Sequence, residues 1–185
     1  VSNWNNNNTN QVLYRDPANV NKFYFTGKFN AGYFKMLEVL GQWAPMWGTN
    51  APGTLAYRPT ESASDPGSIN IASAGNYTFV MDISSQTYTL TPYTGSVTNY
   101  DSIGMIGSFN GWGGDLAMEQ SSFDSHQWSI KDVTFPSNGE FKFRANGTWN
   151  VMDWGSGTEL SGQGTKPGSN IPLTAGTYDI YFNDL

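Results

Sequence analysis

The feature that most restricts how this chain can fold is an internal repeat. Gly32-Tyr33-Phe34-Lys35 returns as Gly139-Glu140-Phe141-Lys142. Trp43 with Met46-Trp47-Gly48 returns as Trp149 with Met152-Asp153-Trp154-Gly155. Pro66-Gly67-Ser68 returns as Pro167-Gly168-Ser169, Ala74-Gly75-Asn76-Tyr77 returns as Ala175-Gly176-Thr177-Tyr178, and Trp4 corresponds to Trp112. Order and spacing are kept throughout, so one supersecondary unit is written twice. The polar stretch 92–101 divides the copies into one module over residues 1–95 and a second over 96–185. The first copy has no counterpart of residues 104–107, and the second none of residues 87–90. Both modules are therefore expected to be truncated at their outer ends, as pieces of a longer protein would be.

Each copy reads as short strands between turn signals. Alternation or short apolar runs predict strands at 22–27, 32–37, 42–48, 69–71, 74–82 and 87–90, then at 104–107, 127–130, 140–145 and 175–182. Residues 49–68 carry Pro, Gly, Ser and Thr and are expected to be a long surface loop. Residues 1–10 and 158–169 read as further loops. No segment has the period of a long amphipathic helix. The expectation is an all-β chain of two tandem immunoglobulin-like β-sandwich modules, each with a modest core.

The most informative stretch is 139–155. Alternation over 140–145 sends Phe141, Phe143 and Ala145 into a core and Lys142 and Arg144 outward. Asn146-Gly147 suits the two positive-φ positions of a type I′ turn. A two-residue loop there places Ala145 opposite Thr148, Arg144 opposite Trp149 and Lys142 opposite Val151. Directly opposed Cβ atoms lie roughly 4.5–5.5 Å apart, so two cations and one indole would share an exposed platform, with Trp154 just beyond. A flat ring beside hydrogen-bond donors suits a sugar, which has an apolar C–H face and a rim of hydroxyls. The same residues also have a plainer reading, in which the Trp packs into a core and the cations are simply solvated.

Composition narrows the function classes. Aromatic residues are 15% and charged residues 13%, with 21 Gly, 7 Trp and 10 Tyr, a balance that suits a β chain exposing rings. A net charge of −6 and the lack of a basic stripe argue against nucleic acid. Without cysteine there is neither a disulfide frame nor a thiolate metal site. No apolar run approaches the roughly 20 residues of a membrane helix.

Ser108-Phe109-Asn110-Gly111-Trp112, Glu140-Phe141-Lys142-Phe143 and Asn146-Gly147-Thr148-Trp149 resemble the pattern of glycogen- and starch-binding modules of β-sandwich fold. The tandem Phe-Lys strand, Trp-Gly segment, Pro-Gly-Ser and Ala-Gly-x-Tyr resemble the SusE and SusF outer-membrane starch-utilisation lipoproteins of Bacteroidetes. The first resemblance implies glucan contacts at Trp112, Lys142 and Trp149. The second implies Arg144 and Trp154, with Lys35 and Trp47 in the first copy, where Trp43 is the counterpart of Trp149. The two patterns differ over which Trp stacks. Leu37 stands where the second copy has Arg144, and Val39-Leu40-Gly41 replaces the Asn-Gly turn, so the first site is expected to be altered or lost. The resemblance further implies a lipid-anchored position on the outer surface of the outer membrane and an importer complex of SusC/SusD type as partner.

Enzyme readings are weaker. His126 is the only histidine and is expected to be a solvated loop residue. No Gly-x-Ser-x-Gly elbow is present. Carboxylate pairs could be drawn from Glu140, Asp153 and Glu159, as in any acidic chain. No EF-hand spacing appears. The expectation is a binder without catalysis, cofactor or metal, taking a polysaccharide such as starch or a related glucan. The alternative is a structural or adhesive sandwich whose exposed rings meet a protein partner.

Overall fold

The structure, a computed structural model, describes residues 4–157 and 161–185. The chain forms two compact units, Val1–Thr94 and Gly95–Leu185. The described residues are all-β, apart from a 3-10 turn at Ser108–Asn110.

The first unit contains β1 (Tyr14–Arg15), β2 (Lys22–Phe29), β3 (Gly32–Phe34), β4 (Met36–Leu37), β5 (Met46–Gly48), β6 (Ala56–Arg58), β7 (Ile69–Ile71), β8 (Gly75–Asp82) and β9 (Thr87–Pro92). One sheet has the order β1-β2-β8-β9; facing it are the pair β3-β7 and the ribbon β4-β5-β6. Phe25, Phe29, Phe79 and Met81 from the first sheet meet Phe34, Met36, Trp47, Ile69 and Ile71 from the other elements in one core. That core between two layers is a β-sandwich.

The second unit contains β10 (Ile103–Gly107), β11 (Leu116–Ala117), β12 (Glu119–Gln120), β13 (Gln127–Phe135), β14 (Gly139–Ala145), β15 (Asp153–Trp154), β16 (Ile171–Leu173) and β17 (Gly176–Asn183). One sheet runs β12-β13-β17; the other runs β11-β10-β14-β15, with β16 also on β14. Trp128, Phe135 and Phe182 from the first pack against Met105, Phe141, Phe143, Trp154 and Leu173 from the second.

The pairings repeat along with the sequence. Met36 opposes Trp47 as Phe143 opposes Trp154, and Phe34 opposes Ile69 as Phe141 opposes Ile171. Among the described residues, β10 and β11 have no equivalent in the first unit and β9 has none in the second. Two repeated motifs also have a physical cause. In Ala-Gly-x-Tyr, the Tyr77 hydroxyl donates to the Ser73 carbonyl at 2.8 Å and the Tyr178 hydroxyl to the Thr174 carbonyl at 2.9 Å. Each ties a strand to the turn before it, as a tyrosine corner does in immunoglobulin-like sandwiches. In Trp-Gly and Pro-Gly-Ser, two backbones press together. A Cβ on Gly48 would lie 2.3 Å from the Gly67 carbonyl oxygen, and one on Gly168 would lie 2.2 Å from that of Gly155.

Several expectations need correction. Residues 49–68 are not wholly loop: β6 pairs with β5, and Leu55 is buried in the core. The strand expected over 32–37 breaks at Lys35, and that over 42–48 is confined to Met46–Gly48. The strand expected to end near 130 continues to Phe135 through an irregularity between Ile130 and Val133, where Asp132 has φ 53°. Glu159, one of the carboxylates considered above, and the start of the Gly-rich loop at 158–160 lie outside the described residues.

Candidate functional site

The site grows from the outer face of β14. Phe141, Phe143 and Ala145 are buried in the core, as alternation requires, so Lys142 and Arg144 lie on the opposite face. Gly104 of β10 and Asp153 of β15 flank Arg144 in register. Glycine at 104 leaves room above the strand, since a Cβ there would meet the Asp115 Cβ at 2.6 Å. Asp115 occupies that room. Its Oδ1 accepts from Arg144 Nε at 3.0 Å and Nη2 at 2.7 Å. Arg144 is only 7% exposed, and this partner is what makes burying its charge tolerable. Lys142 forms an ion pair with Asp153, its diagonal neighbour across the strands.

Trp149 lies on these cations. Arg144 Cζ is 4.7 Å from its ring centroid and Lys142 Nζ is 6.0 Å away, both within cation–π range. The ring remains 46% exposed. Trp112 completes the surface: its ring centroid lies 6.3 Å from that of Trp149, with 37° between the planes. The loop that carries Trp112 and Asp115 is stapled by Asn110, which accepts from the Gly107 N–H at 3.1 Å and donates to the Gly114 carbonyl at 2.6 Å. The Trp112 N–H in turn donates to the Gly107 carbonyl at 2.9 Å. One of two tilted indoles thus stands over two paired cations.

The expected route to this arrangement was wrong. Asn146 and Gly147 do take positive φ, 53° and 65°, and the Thr148 N–H reaches the Ala145 carbonyl at 3.3 Å. The chain does not then return directly along β14. The Ala145 N–H donates to the Met152 carbonyl at 2.9 Å, and Arg144 opposes Asp153 rather than Trp149. The turn is held elsewhere: Asn146 Oδ1 accepts the N–H groups of Asp101 and Ser102 at 3.0 and 3.1 Å. The longer connection folds Trp149 back over Arg144, so ring and guanidinium meet by stacking instead of by register.

Trp154 is not on the platform. It is 3% exposed, edge-on to Tyr100 at 5.4 Å and to Phe182 at 5.1 Å. Trp47 is its equivalent, buried in the first core, stacked at a tilt on Tyr57 at 4.5 Å and donating from Nε1 to Glu38 at 2.8 Å. Both were expected at a sugar site and are core residues instead. Lys35 pairs with Asp65 at 2.6 Å and lies 5.9 Å from the Trp4 ring. Trp43 is half-buried. The first unit therefore brings Lys35 to an exposed ring, but that ring is Trp4 from the Asn-rich stretch. Asp115, absent from the sequence expectations, is the residue that holds Arg144. Its only sequence signal is its place just after the Trp112 turn.

His126 is also unlike its expectation. It is 4% exposed, with Nδ1 at 2.6 Å from Asp184 Oδ1, while Trp128 Nε1 donates to Asp184 Oδ2 at 2.8 Å. Burial pushes the Asp184 carboxyl above its ordinary value, against the lowering effect of those two bonds. All three of these side chains are buried. Glu140 accepts from Asn170, and Asp153 is taken up by Lys142. Among the described residues, no three His, Cys, Asp or Glu side chains gather as metal ligands would. No described helix is long and apolar enough to cross a membrane.

No protein-family model matches this chain, and no curated protein matches it. Among solved structures it is similar to SusF from Bacteroides thetaiotaomicron at 16% identity, with a TM-score of 0.37. The match covers 92% of this chain and 42% of that one. So distant a likeness carries neither fold nor function from one chain to the other.

Proposed function

We propose that this chain is a non-catalytic polysaccharide-binding protein whose principal platform is the Trp112–Trp149 pair of the second unit. The observation that carries this reading is the pair itself: two indoles inclined at 37°, one of them nearly half exposed over paired cations. Indole faces bury the apolar C–H faces of successive sugar rings, and Lys142 is placed to donate to hydroxyls. The tilt suits a chain that curves, and together with the motif resemblance it favours starch or a related glucan. By that resemblance the protein sits at the outer surface of a bacterial outer membrane and retains glycan for an importer of SusC/SusD type.

Retention in native gels containing soluble starch, pullulan or a β-glucan tests the reading. The wild-type chain is expected to be slowed by an α-glucan. Trp149→Ala and Trp112→Ala should each remove most of that retention while melting as wild type does. Unchanged retention in both folded variants, or no retention by any polysaccharide, would defeat the proposal. Trp43→Ala is expected to have the smaller effect, because Leu37 takes the place of Arg144 in the first copy of the repeat.

A further inference from the structure

We propose that Asp115 and Asp153 determine specificity, cancelling the charge of the platform and so excluding anionic glycans. This rests on the polysaccharide-binding reading above and names the class of sugar that the same site refuses.

The cations under the Trp149 ring are matched one to one. Arg144 is bonded to Asp115 and Lys142 to Asp153. All four side chains are largely shielded, with relative exposures of 8% and 15% in the first pair and 15% and 18% in the second. Glu140, two residues along the same face, adds a third carboxylate, bonded to Asn170. Cations were needed here to stack on Trp149 and to donate hydrogen bonds. Left unmatched, they would also have made a strong anion site, because hydrogen bonds between oppositely charged groups are about twice as strong as neutral ones. Their carboxylates offset the positive charge that a uronate or sulfate would pair with, and they repel a second anion at short range. A neutral sugar meets no such penalty. Its binding should hardly respond to salt, since exposed charge pairs are what salt screens.

The neutrality is built by the fold. Asp115 reaches Arg144 only because position 104 is glycine, and Asp153 reaches Lys142 through the β14–β15 register. Neither carboxylate needs to touch the ligand. Each acts through the cation it holds, so removing it should add a ligand class as well as perturb the existing one. A purely structural residue would not do that.

The test uses the whole chain in native gels containing either starch or polygalacturonate. Wild type is expected to be slowed by starch, independently of salt, and not by polygalacturonate. Asp115→Asn and Asp153→Asn should each be slowed by polygalacturonate, with affinity raised about tenfold or more (about 1.4 kcal/mol) and the gain abolished by about 0.5 M NaCl. Asp115→Asn with Arg144→Gln restores the balance and should lose the gain. Thermal melts accompany each variant; if Asp115→Asn does not fold, Asp153→Asn decides alone. Wild type slowed by polygalacturonate overturns the inference. So does a folded Asp153→Asn that ignores it, or a double variant that keeps the gain. If wild type is slowed by no neutral polysaccharide, the binding reading falls first and this inference falls with it.

Discussion

Trp149 and Trp154 stand close in sequence and are opposite in kind. Both follow the Asn-Gly turn and both suit a sugar by residue type. Pairing opposite Phe143 turns Trp154 into the core, where it meets Tyr100 and Phe182. Trp149 lies in the connection, with no strand to direct it, and rests on Arg144. The distinction decides how any binding loss is read. Trp154→Ala should lower stability by about 3–5 kcal/mol, as large core truncations do. Trp149→Ala should cost less than about 1 kcal/mol, near the range of surface changes. Urea unfolding of the two variants checks this; equal losses would place Trp149 in the core as well. Residue type was enough to select both indoles, but only the strand pairing separates the buried one from the exposed one.

At the scale of elements, alternation located the long strands because each buries one face and wets the other. It failed for β6, β11, β12 and β16, which are too short to show a period. The hairpin register failed for a different reason. The Asn-Gly rule describes a turn whose strands pair immediately, whereas Asn146 is bonded to the residues entering β10. The close crossing in each unit offers a sharper test. At Gly168 the nearest three atoms to an added Cβ are all backbone, at 2.2–2.6 Å, so no side chain can swing aside. Gly168→Ala should destabilise by at least the roughly 1–3 kcal/mol typical of overpacking. Gly113→Ala, whose Cβ would meet nothing closer than 3.7 Å, should be tolerated. Denaturant midpoints would show it, and a neutral Gly168→Ala would contradict the close approach.

Over the whole molecule, acid should act on the two units through different carboxyls. Asp82 in the first unit is held below its ordinary 3.8, first by the Ser84 hydroxyl and then by the Ser85 N–H. Asp16 is lowered mainly by the Tyr24 hydroxyl, and Asp179 in the second unit mainly by the Asp132 N–H. A carboxyl lowered in the folded state contributes stability that is complete above 3.8 and lost as pH falls through its folded value. Asp184 has the reverse sign. Its raised value means that its burial costs stability increasingly as pH rises from 3.8 through that value, and acid relieves the cost. Asp82→Asn should therefore flatten the fall of the first unit's urea midpoint between about pH 5 and pH 2. An acid fall as steep as that of wild type would remove Asp82 from the account.

What the sequence determined by itself was the all-β class, the repetition, the long strands and the inward set Phe141, Phe143 and Ala145. Those follow from local periodicity and from comparing the chain with itself, and neither requires knowing what lies across a sheet. The tertiary structure alone decided which Trp is exposed, what Arg144 pairs with, and that His126 is buried. Each of these depends on a partner distant in the chain: Phe182 against Trp154, Asp115 beside Arg144, Asp184 on His126. Burial and ion pairing are properties of such encounters, so no local pattern in the sequence records them.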